Sequence, residues 1–144
     1  MSDVPVLITA APGFEPSYAR PGDAGADLRS TKSHSIPPGE RELISTGVSI
    51  ALPSGYVGLV HPRSGLALRH GVTVLNSPGT IDAGYRGEIM VTLFNSSRKT
   101  FEISAGDRIA QLLIQRVAQA EFIQVDFLPN SDRGQDGFGS TGKT

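Results

Sequence analysis

Glycine and proline divide this chain into short apolar runs, and this feature limits the fold more than any other. There are 17 glycines and 10 prolines in 144 residues, and helical periodicity is nearly absent. Many short strands separated by turn residues are typical of an all-β sandwich or barrel. The runs predict eight strands: Val4–Thr9, Glu40–Ala51, Tyr56–His61, Val72–Leu75, Glu88–Asn95, Thr100–Ile103, Arg108–Val117 and Glu121–Phe127.

One short helix is predicted, from Ser64 to His70. Ser64 is a candidate N-cap, and Gly71 is a candidate for the left-handed residue that ends a helix. The free N–H groups of the first turn would lie beside Arg63, which makes this end of the helix a candidate anion site.

Length and composition exclude several classes of protein. A chain of this length fits one domain, and its net charge of −1 lacks the cationic excess of a general nucleic-acid or membrane-surface binder. The chain has no cysteine, and His34, His61 and His70 show no ligand spacing, so a metal would arrive with a substrate or bind carboxylates. Neither a leader pattern nor a membrane-length apolar run is present, so we expect a cytoplasmic protein.

The densest group of chemically distinctive residues is Gly79–Glu88, with three glycines, Asp82, Tyr85 and Arg86. Such glycines allow sharp turns that expose backbone N–H and C=O groups. We expect a tight hairpin that carries Asp82 and Tyr85 between two apolar strands. Two interpretations remain open: an ordinary turn with a packed tyrosine, or a pocket for a small polar ligand and an activated water.

The segment from Asn130 to Thr144 is rich in glycine and polar residues, and Phe138 is its only large apolar residue. It is either a disordered end or a flap that orders over a ligand. Gly137 to Thr144 also fits the spacing of a phosphate-binding loop. That motif requires a preceding strand and a following helix, and neither is predicted here.

Five segments, in this order and spacing, resemble the five motifs of the trimeric dUTPases, the dUTP nucleotidohydrolases. The resemblance covers most of the chain, from about Ala19 to Gly142. The segments are Ala24–Leu28, Pro62–Ala67, Gly79–Glu88, Gly106–Gln111 and Arg133–Gly142.

The resemblance implies a jelly-roll-like subunit and a homotrimer whose three active sites are shared between chains. It implies hydrolysis of dUTP to dUMP and pyrophosphate, which limits uracil incorporation into DNA and supplies dUMP for dTMP synthesis. Residues 1–129 would form the all-β hydrolase domain, and residues 130–144 would form a flexible flap over the active site. Mg²⁺ is the expected cofactor, held by the substrate phosphates without direct protein ligands.

The resemblance also assigns roles to individual residues. Asp82 matches the catalytic aspartate that activates water for attack on the α-phosphorus, Tyr85 the residue that packs on the deoxyribose, and Asn76 the side chain that reads uracil. Asp27 matches an acid that supports either the metal hydration shell or a neighbouring arginine, whereas Asp107 and Arg108 are interpreted as structural. The remaining expected substrate contacts are Arg63, Ser64, Gly65, Thr80, Ile81, Met90, Gln111, Arg133, Phe138, Gly139, Ser140 and Thr141.

Two alternative functions are considered. A dCTP deaminase resembles the same family, but its chemistry needs a proton-carrying glutamate in the strand after the hairpin, and Ile89–Asn95 contains no acid. A jelly roll that binds nucleotides without turnover is the other alternative, since fold alone does not fix function. Asp82 and the intact tail favour a catalyst over such a module.

Overall fold

The computed structural model describes residues 3–137, 139 and 142. Its strands and single helix form one β-sandwich. In chain order the elements are β1 (Leu7–Thr9), β2 (Ala26–Arg29), β3 (His34–Ile36), β4 (Arg41–Ala51), β5 (Tyr56–His61), α1 (Ser64–His70), β6 (Val72–Val74), β7 (Gly79–Ile81), β8 (Glu88–Asn95), β9 (Phe101–Ile103) and β10 (Arg108–Arg116).

Two four-stranded antiparallel sheets make up the sandwich. One has the order β1-β4-β8-β6 and the other the order β2-β10-β5-β7, while β3 and β9 form a separate two-stranded pair. The described residues form no closed barrel, so the predicted all-β class is confirmed in its sandwich form, with a jelly-roll-like architecture.

The core lies between the two main sheets and follows from alternation along the strands. In β8 every second residue is buried, including Val91 and Leu93, and β4 buries Ile44, Val48 and Ile50 in the same way. The two faces of a strand alternate with period two, so one face of each strand enters the core and the other remains polar or half-exposed. This pattern made β4, β5 and β8 predictable to within a residue.

A buried asparagine ties the end of β8 to the small two-stranded pair. The Asn95 side chain is fully buried, and its Nδ2 donates to Ile36 O at 2.9 Å and Lys99 O at 2.7 Å. Its Oδ1 accepts from the N–H and the hydroxyl of Ser97. Because both polar atoms of the amide have partners, burial of this side chain leaves none of its hydrogen-bonding groups unsatisfied.

Three strands were missed and one predicted strand is wrong. β2, β3 and β7 have only three or four residues each, too short for a clear sequence signal. The predicted strand Glu121–Phe127 is absent from the elements of the described chain, and Phe122 is 94% exposed. The alternating residues of segment 121–127 have β character. A strand also needs a neighbouring strand for its backbone hydrogen bonds, and the described part of this chain provides none there.

Candidate active site

The chain between β6 and β8 crosses from one sheet to the other. β6 pairs with β8, as a hairpin requires, but the intervening segment contains β7, which pairs with β5 in the opposite sheet. The predicted tight hairpin is therefore wrong: the connection is long because it contributes β7 to the opposite sheet. Asp82 follows β7 directly, at the point where the chain leaves that sheet.

This crossing segment forms the wall of a cleft of about 210 Å³, which we call the β7 cleft. Six of the residues predicted for the site line it, together with Val60, Val74, Gly79, Glu88, Ile89 and Val91. Ile81 is buried, whereas Asp82 is exposed at the rim. The six predicted residues are Asn76, Thr80, Ile81, Asp82, Tyr85 and Met90.

The ring of Tyr85 is fixed by its own loop. Its backbone N–H donates to Asp82 O at 3.0 Å, which closes a turn, and its hydroxyl donates to Glu88 O at 2.9 Å. A Cβ at Gly87 would overlap the Tyr85 hydroxyl, so only glycine allows the ring this position. The half-exposed ring therefore presents one face to the cleft from a held orientation.

A second cleft, of about 320 Å³, contains the predicted phosphate contacts, and we call it the basic cleft. It shares no lining residue with the β7 cleft. Five predicted residues meet there, namely Asp27, Arg63, Ser64, Gly65 and Gln111. A single chain therefore divides the predicted site between two surfaces.

Arg63 is held at the mouth of the basic cleft by two contacts. Its Nη1 donates to Arg108 O at 3.1 Å, and its Nε lies 3.7 Å from Asp27 Oδ1. The other Asp27 oxygen lies 3.3 Å from Arg108 Nη1. The Asp27 carboxylate thus faces two guanidinium groups, which favours the interpretation that it supports an arginine. Asp27 itself lies in β2.

Formal charges in the basic cleft cancel. Arg63 and Arg108 are offset by Asp27 and by Asp23, whose Oδ2 accepts the Arg20 N–H at 2.9 Å. An anion with several negative charges would therefore need additional cations to bind tightly here.

The helix α1 begins at Ser64 and ends at His70, as predicted, but Ser64 is not its cap. Arg63 occupies the N-cap position with an extended backbone and makes no side-chain capping bond. At the other end Gly71 adopts a left-handed conformation, with φ of 64°, and its N–H donates to Ala67 O, so the predicted C-terminal glycine is confirmed.

Gln111 is positioned by a hydrogen bond to Pro62, after β5, and by the space that Gly25 leaves before β2. Its Nε2 donates to Pro62 O at 2.9 Å, and a Cβ at Gly25 would overlap its Oε1. Glycine at position 25 therefore leaves room for the Gln111 side chain in the cleft.

The tail residues are described only in part. Arg133 is exposed, and its Nε donates to Asp136 O at 2.8 Å, so it lines neither cleft in this chain. Gly139 has a left-handed φ of 86°. The predicted contacts Phe138, Ser140 and Thr141 lie outside the described residues. The flap remains a prediction.

Two residues near the clefts were missed or set aside. Arg108, interpreted from sequence as structural, lines the basic cleft, and its position two residues after Gly106 in a predicted motif was an available signal. Glu88 lines the β7 cleft, and its Oε1 accepts from the Ser45 hydroxyl and, at 2.6 Å, from the Gly47 N–H. No sequence pattern indicates that contact, because Ser45 and Glu88 meet only through sheet pairing.

Two features are absent from the described residues. Within them, no group of three or more His, Asp or Glu side chains is arranged to hold a metal ion. Nor do they include a helix long and apolar enough to cross a bilayer.

The fold and the two clefts define a jelly-roll-like β-sandwich protein with an acid, Asp82, lining one cleft and two arginines lining the other. A family model described as dUTPase matches residues 13–142, and the chain belongs to the dUTPase family. The deoxyuridine 5'-triphosphate nucleotidohydrolase of Leifsonia xyli subsp. xyli (strain CTCB07) is 54% identical over 143 residues, covering 99% of this chain and 91% of the relative.

Solved structures of the family superpose closely. The Staphylococcus bacteriophage 80alpha dUTPase with dUPNHPP aligns with a TM-score of 0.88 at 28% identity, covering 96% of this chain and 98% of that one. The D95N mutant of the dUTPase from phage phi11 of S. aureus, whose structure describes coordination of a structural Mg(II) ion, aligns with a TM-score of 0.80 at 25% identity, covering 88% of this chain and 99% of that one. These matches agree with the resemblance read from the five motifs.

Proposed function

We propose that this chain hydrolyses dUTP to dUMP and pyrophosphate. The observation that carries the proposal is that Asp82, Asn76 and Tyr85 line one cleft in a chain of the dUTPase family. We further propose that the enzyme acts in the cytoplasm, where it limits uracil incorporation into DNA and supplies dUMP for dTMP synthesis.

The β7 cleft is the proposed site for the deoxyuridine. The Asn76 amide offers a donor and an acceptor to the uracil edge, and the backbone of Gly79–Ile81 approaches from the same wall. The Tyr85 ring packs against the sugar and leaves no space for a ribose 2′-hydroxyl. Thr80 and Met90 complete the lining, and close contact with the base excludes a 5-methyl group.

Asp82 is the proposed catalytic base. Its carboxylate stands at the exposed rim of the cleft, where it would reach a water and the α-phosphorus of a bound triphosphate. A carboxylate that accepts a proton from the attacking water also fixes the direction of attack. Water then bonds to the α-phosphorus, the bond to the bridging oxygen breaks, and pyrophosphate leaves.

The basic cleft is the proposed phosphate site, with contacts from Arg63, Ser64, Gly65 and Gln111. Because its formal charges cancel, a triphosphate needs further cations, and Mg²⁺ and Arg133 are the proposed sources. Mg²⁺ takes oxygen ligands, which the phosphates of the nucleotide would supply. Bound in this way, Mg²⁺ would neutralise phosphate charge and polarise the reacting phosphoryl group.

A homotrimer with shared active sites accounts for the separation of the two clefts. Sugar and phosphates of one small ligand must lie close together, yet the two clefts of one chain have no residue in common. Two chains packed together would join the β7 cleft of one to the basic cleft of the other. The segment 122–128 supports association, since Phe122, Ile123, Phe127 and Leu128 are each at least 76% exposed.

The tail is proposed to close over the bound nucleotide. Phe138 would stack on uracil, Arg133 would bind phosphate, and Gly139, Ser140 and Thr141 would enclose the γ-phosphate. Ordering such a glycine-rich segment costs chain entropy, so closure is expected only when a triphosphate is bound.

Pyrophosphate release tests the activity directly. The purified protein with Mg²⁺ is given dUTP, dCTP, dTTP and UTP, and the base is followed for deamination. We expect pyrophosphate from dUTP and far less from the other three. Ammonia from dCTP would instead identify a deaminase, and absence of turnover on all four would leave a binding module.

Complementation between inactive variants tests the shared site. Asp82→Asn and Arg63→Ala are prepared separately, then unfolded and refolded together in equal amounts. If Asp82 and Arg63 of one site come from different chains, about a quarter of the sites in the mixture regain both residues. If both come from one chain, the mixture stays as inactive as its components. Wild-type protein taken through the same refolding provides the control.

The deaminase alternative is not favoured. The stretch Ile89–Asn95 contains no acid, but β8 begins one residue earlier, at Glu88. Its Oε1 already accepts hydrogen bonds from Ser45 and Gly47, so this carboxylate is committed to the neighbouring strand and is a poor proton carrier for a base in the cleft.

A further inference from the structure

We propose that Glu88 is a positioning residue that holds Tyr85 and thereby sets the preference for deoxyribose over ribose. The inference rests on the proposed function, because it concerns the sugar of the same substrate. It assigns to Glu88 no contact with the nucleotide.

The Glu88 side chain fastens the start of β8 to β4. Its Oε1 accepts the Ser45 hydroxyl and the Gly47 N–H, and it lies where the pairing of β4 with β8 shifts register between Ser45 and Ser49. The neighbouring Thr46 hydroxyl donates to Ile89 O at 2.6 Å. Three successive residues of the β4 irregularity, Ser45, Thr46 and Gly47, therefore bond to Glu88 or Ile89.

The main chain of the same glutamate holds the tyrosine. Glu88 O accepts the Tyr85 hydroxyl at 2.9 Å, so the position of the ring depends on where this carbonyl lies. The ring is half-exposed and has open cleft on one side, so packing alone does not fix it. Gly87 leaves the necessary space beside the hydroxyl.

The two contacts form one chain of support from β4 to the cleft. The irregular part of β4 holds the Glu88 carboxylate, the Glu88 backbone holds the Tyr85 hydroxyl, and the Tyr85 ring forms the wall against the sugar. Without the carboxylate, Glu88 loses its side-chain bonds to Ser45 and Gly47 and keeps only its backbone pairing with Ser49, so the carbonyl gains freedom. The ring could then move aside and admit a 2′-hydroxyl.

The test compares hydrolysis of dUTP and UTP by Glu88→Ala, Glu88→Gln and a matched control. The control is Glu102→Ala, because Glu102 likewise accepts a serine hydroxyl, that of Ser35, across a strand pair that lines neither cleft. We expect Glu88→Ala to lower the ratio of kcat/KM for dUTP to that for UTP by about tenfold, chiefly because UTP improves. Glu88→Gln keeps an oxygen acceptor and should retain the wild-type ratio.

A ratio that stays unchanged in Glu88→Ala, with both substrates slowed equally, would overturn the proposal and leave Glu88 a purely structural residue.

Hydrogen exchange of residues 82–88 gives a second readout that needs no turnover. Glu88→Ala should accelerate it, whereas Glu102→Ala should not, and equal exchange in both variants would also overturn the proposal. If Glu88→Ala does not fold, Ser45→Ala removes one donor to the same carboxylate and should change both readouts in the same direction. A wild-type protein inactive on dUTP would contradict the proposed function, while the exchange measurement would still decide the role of Glu88.

Discussion

The Nε atom of Arg63 lies 3.7 Å from Asp27 Oδ1, so an acid from β2 holds the cation that follows β5. Replacing Asp27 with asparagine removes the attraction and releases the guanidinium from its position. We expect kcat/KM for dUTP to fall about tenfold through a raised KM. Stability should change by only about 1 kcal/mol or less, because both arginines are partly exposed.

Asp107→Asn is the control for this substitution. Asp107 lines neither cleft, and an asparagine oxygen can still accept the Ser104 N–H that Asp107 Oδ2 accepts at 2.9 Å. Steady-state kinetics of both variants decides the matter, and equal kinetics in the two would show that Asp27 does not position Arg63.

Asp82→Asn should separate catalysis from binding. The amide cannot take a proton from water, so kcat should fall by about 10²–10⁴. Affinity for a non-hydrolysable dUTP analogue, measured by calorimetry, should change by less than about threefold. The substitution removes one negative charge from the cleft and adds no repulsion to the phosphates. An equal loss of affinity and turnover would assign Asp82 to binding instead.

Gly25→Ala should act through Gln111. The added methyl overlaps Gln111 Oε1, so the amide must leave its bond to Pro62 O, and we expect a raised KM and a loss of about 1–3 kcal/mol in stability. In a Gln111→Ala background most of this cost should disappear. Additive effects in the double variant, measured by thermal unfolding and kinetics, would rule out the steric explanation.

The two asparagines of this region should behave in opposite ways. Asn95→Ala leaves the carbonyls of Ile36 and Lys99 without their amide partner in a buried setting, and should cost about 2–4 kcal/mol. Asn76→Ala, at an exposed position in the β7 cleft, should weaken dUTP turnover with little effect on the unfolding midpoint at the same protein concentration. A stability loss at Asn76 as large as that at Asn95 would contradict this division.

Deleting residues 134–144 should leave a folded trimer with severely impaired turnover. The deleted segment supplies the proposed flap, and its described residues belong to no strand or helix. Light scattering and circular dichroism check assembly and fold, and pyrophosphate release checks activity. Normal hydrolysis by the shortened chain would eliminate the flap from the mechanism.

Local sequence patterns determined the positions of the longer strands, the end of the helix and the family of this protein. Alternating apolar residues located β4, β5 and β8, and Gly71 marked the end of α1, because both signals come from a few neighbouring residues. The order and spacing of five motifs in the sequence were sufficient to indicate the dUTPase family.

Tertiary structure decided how those pieces meet. A short strand such as β7 is stable only through its pairing with β5, so no local signal distinguished it from a hairpin turn. Conversely, residues 121–127 have the local pattern of a strand but no neighbouring strand in the described chain. The contacts of Glu88 with Ser45 and of Asp27 with Arg63 join residues far apart in the chain, and only the packing of the strands brings them together. The same packing placed the residues proposed for uracil and those proposed for phosphate in two clefts with different lining residues.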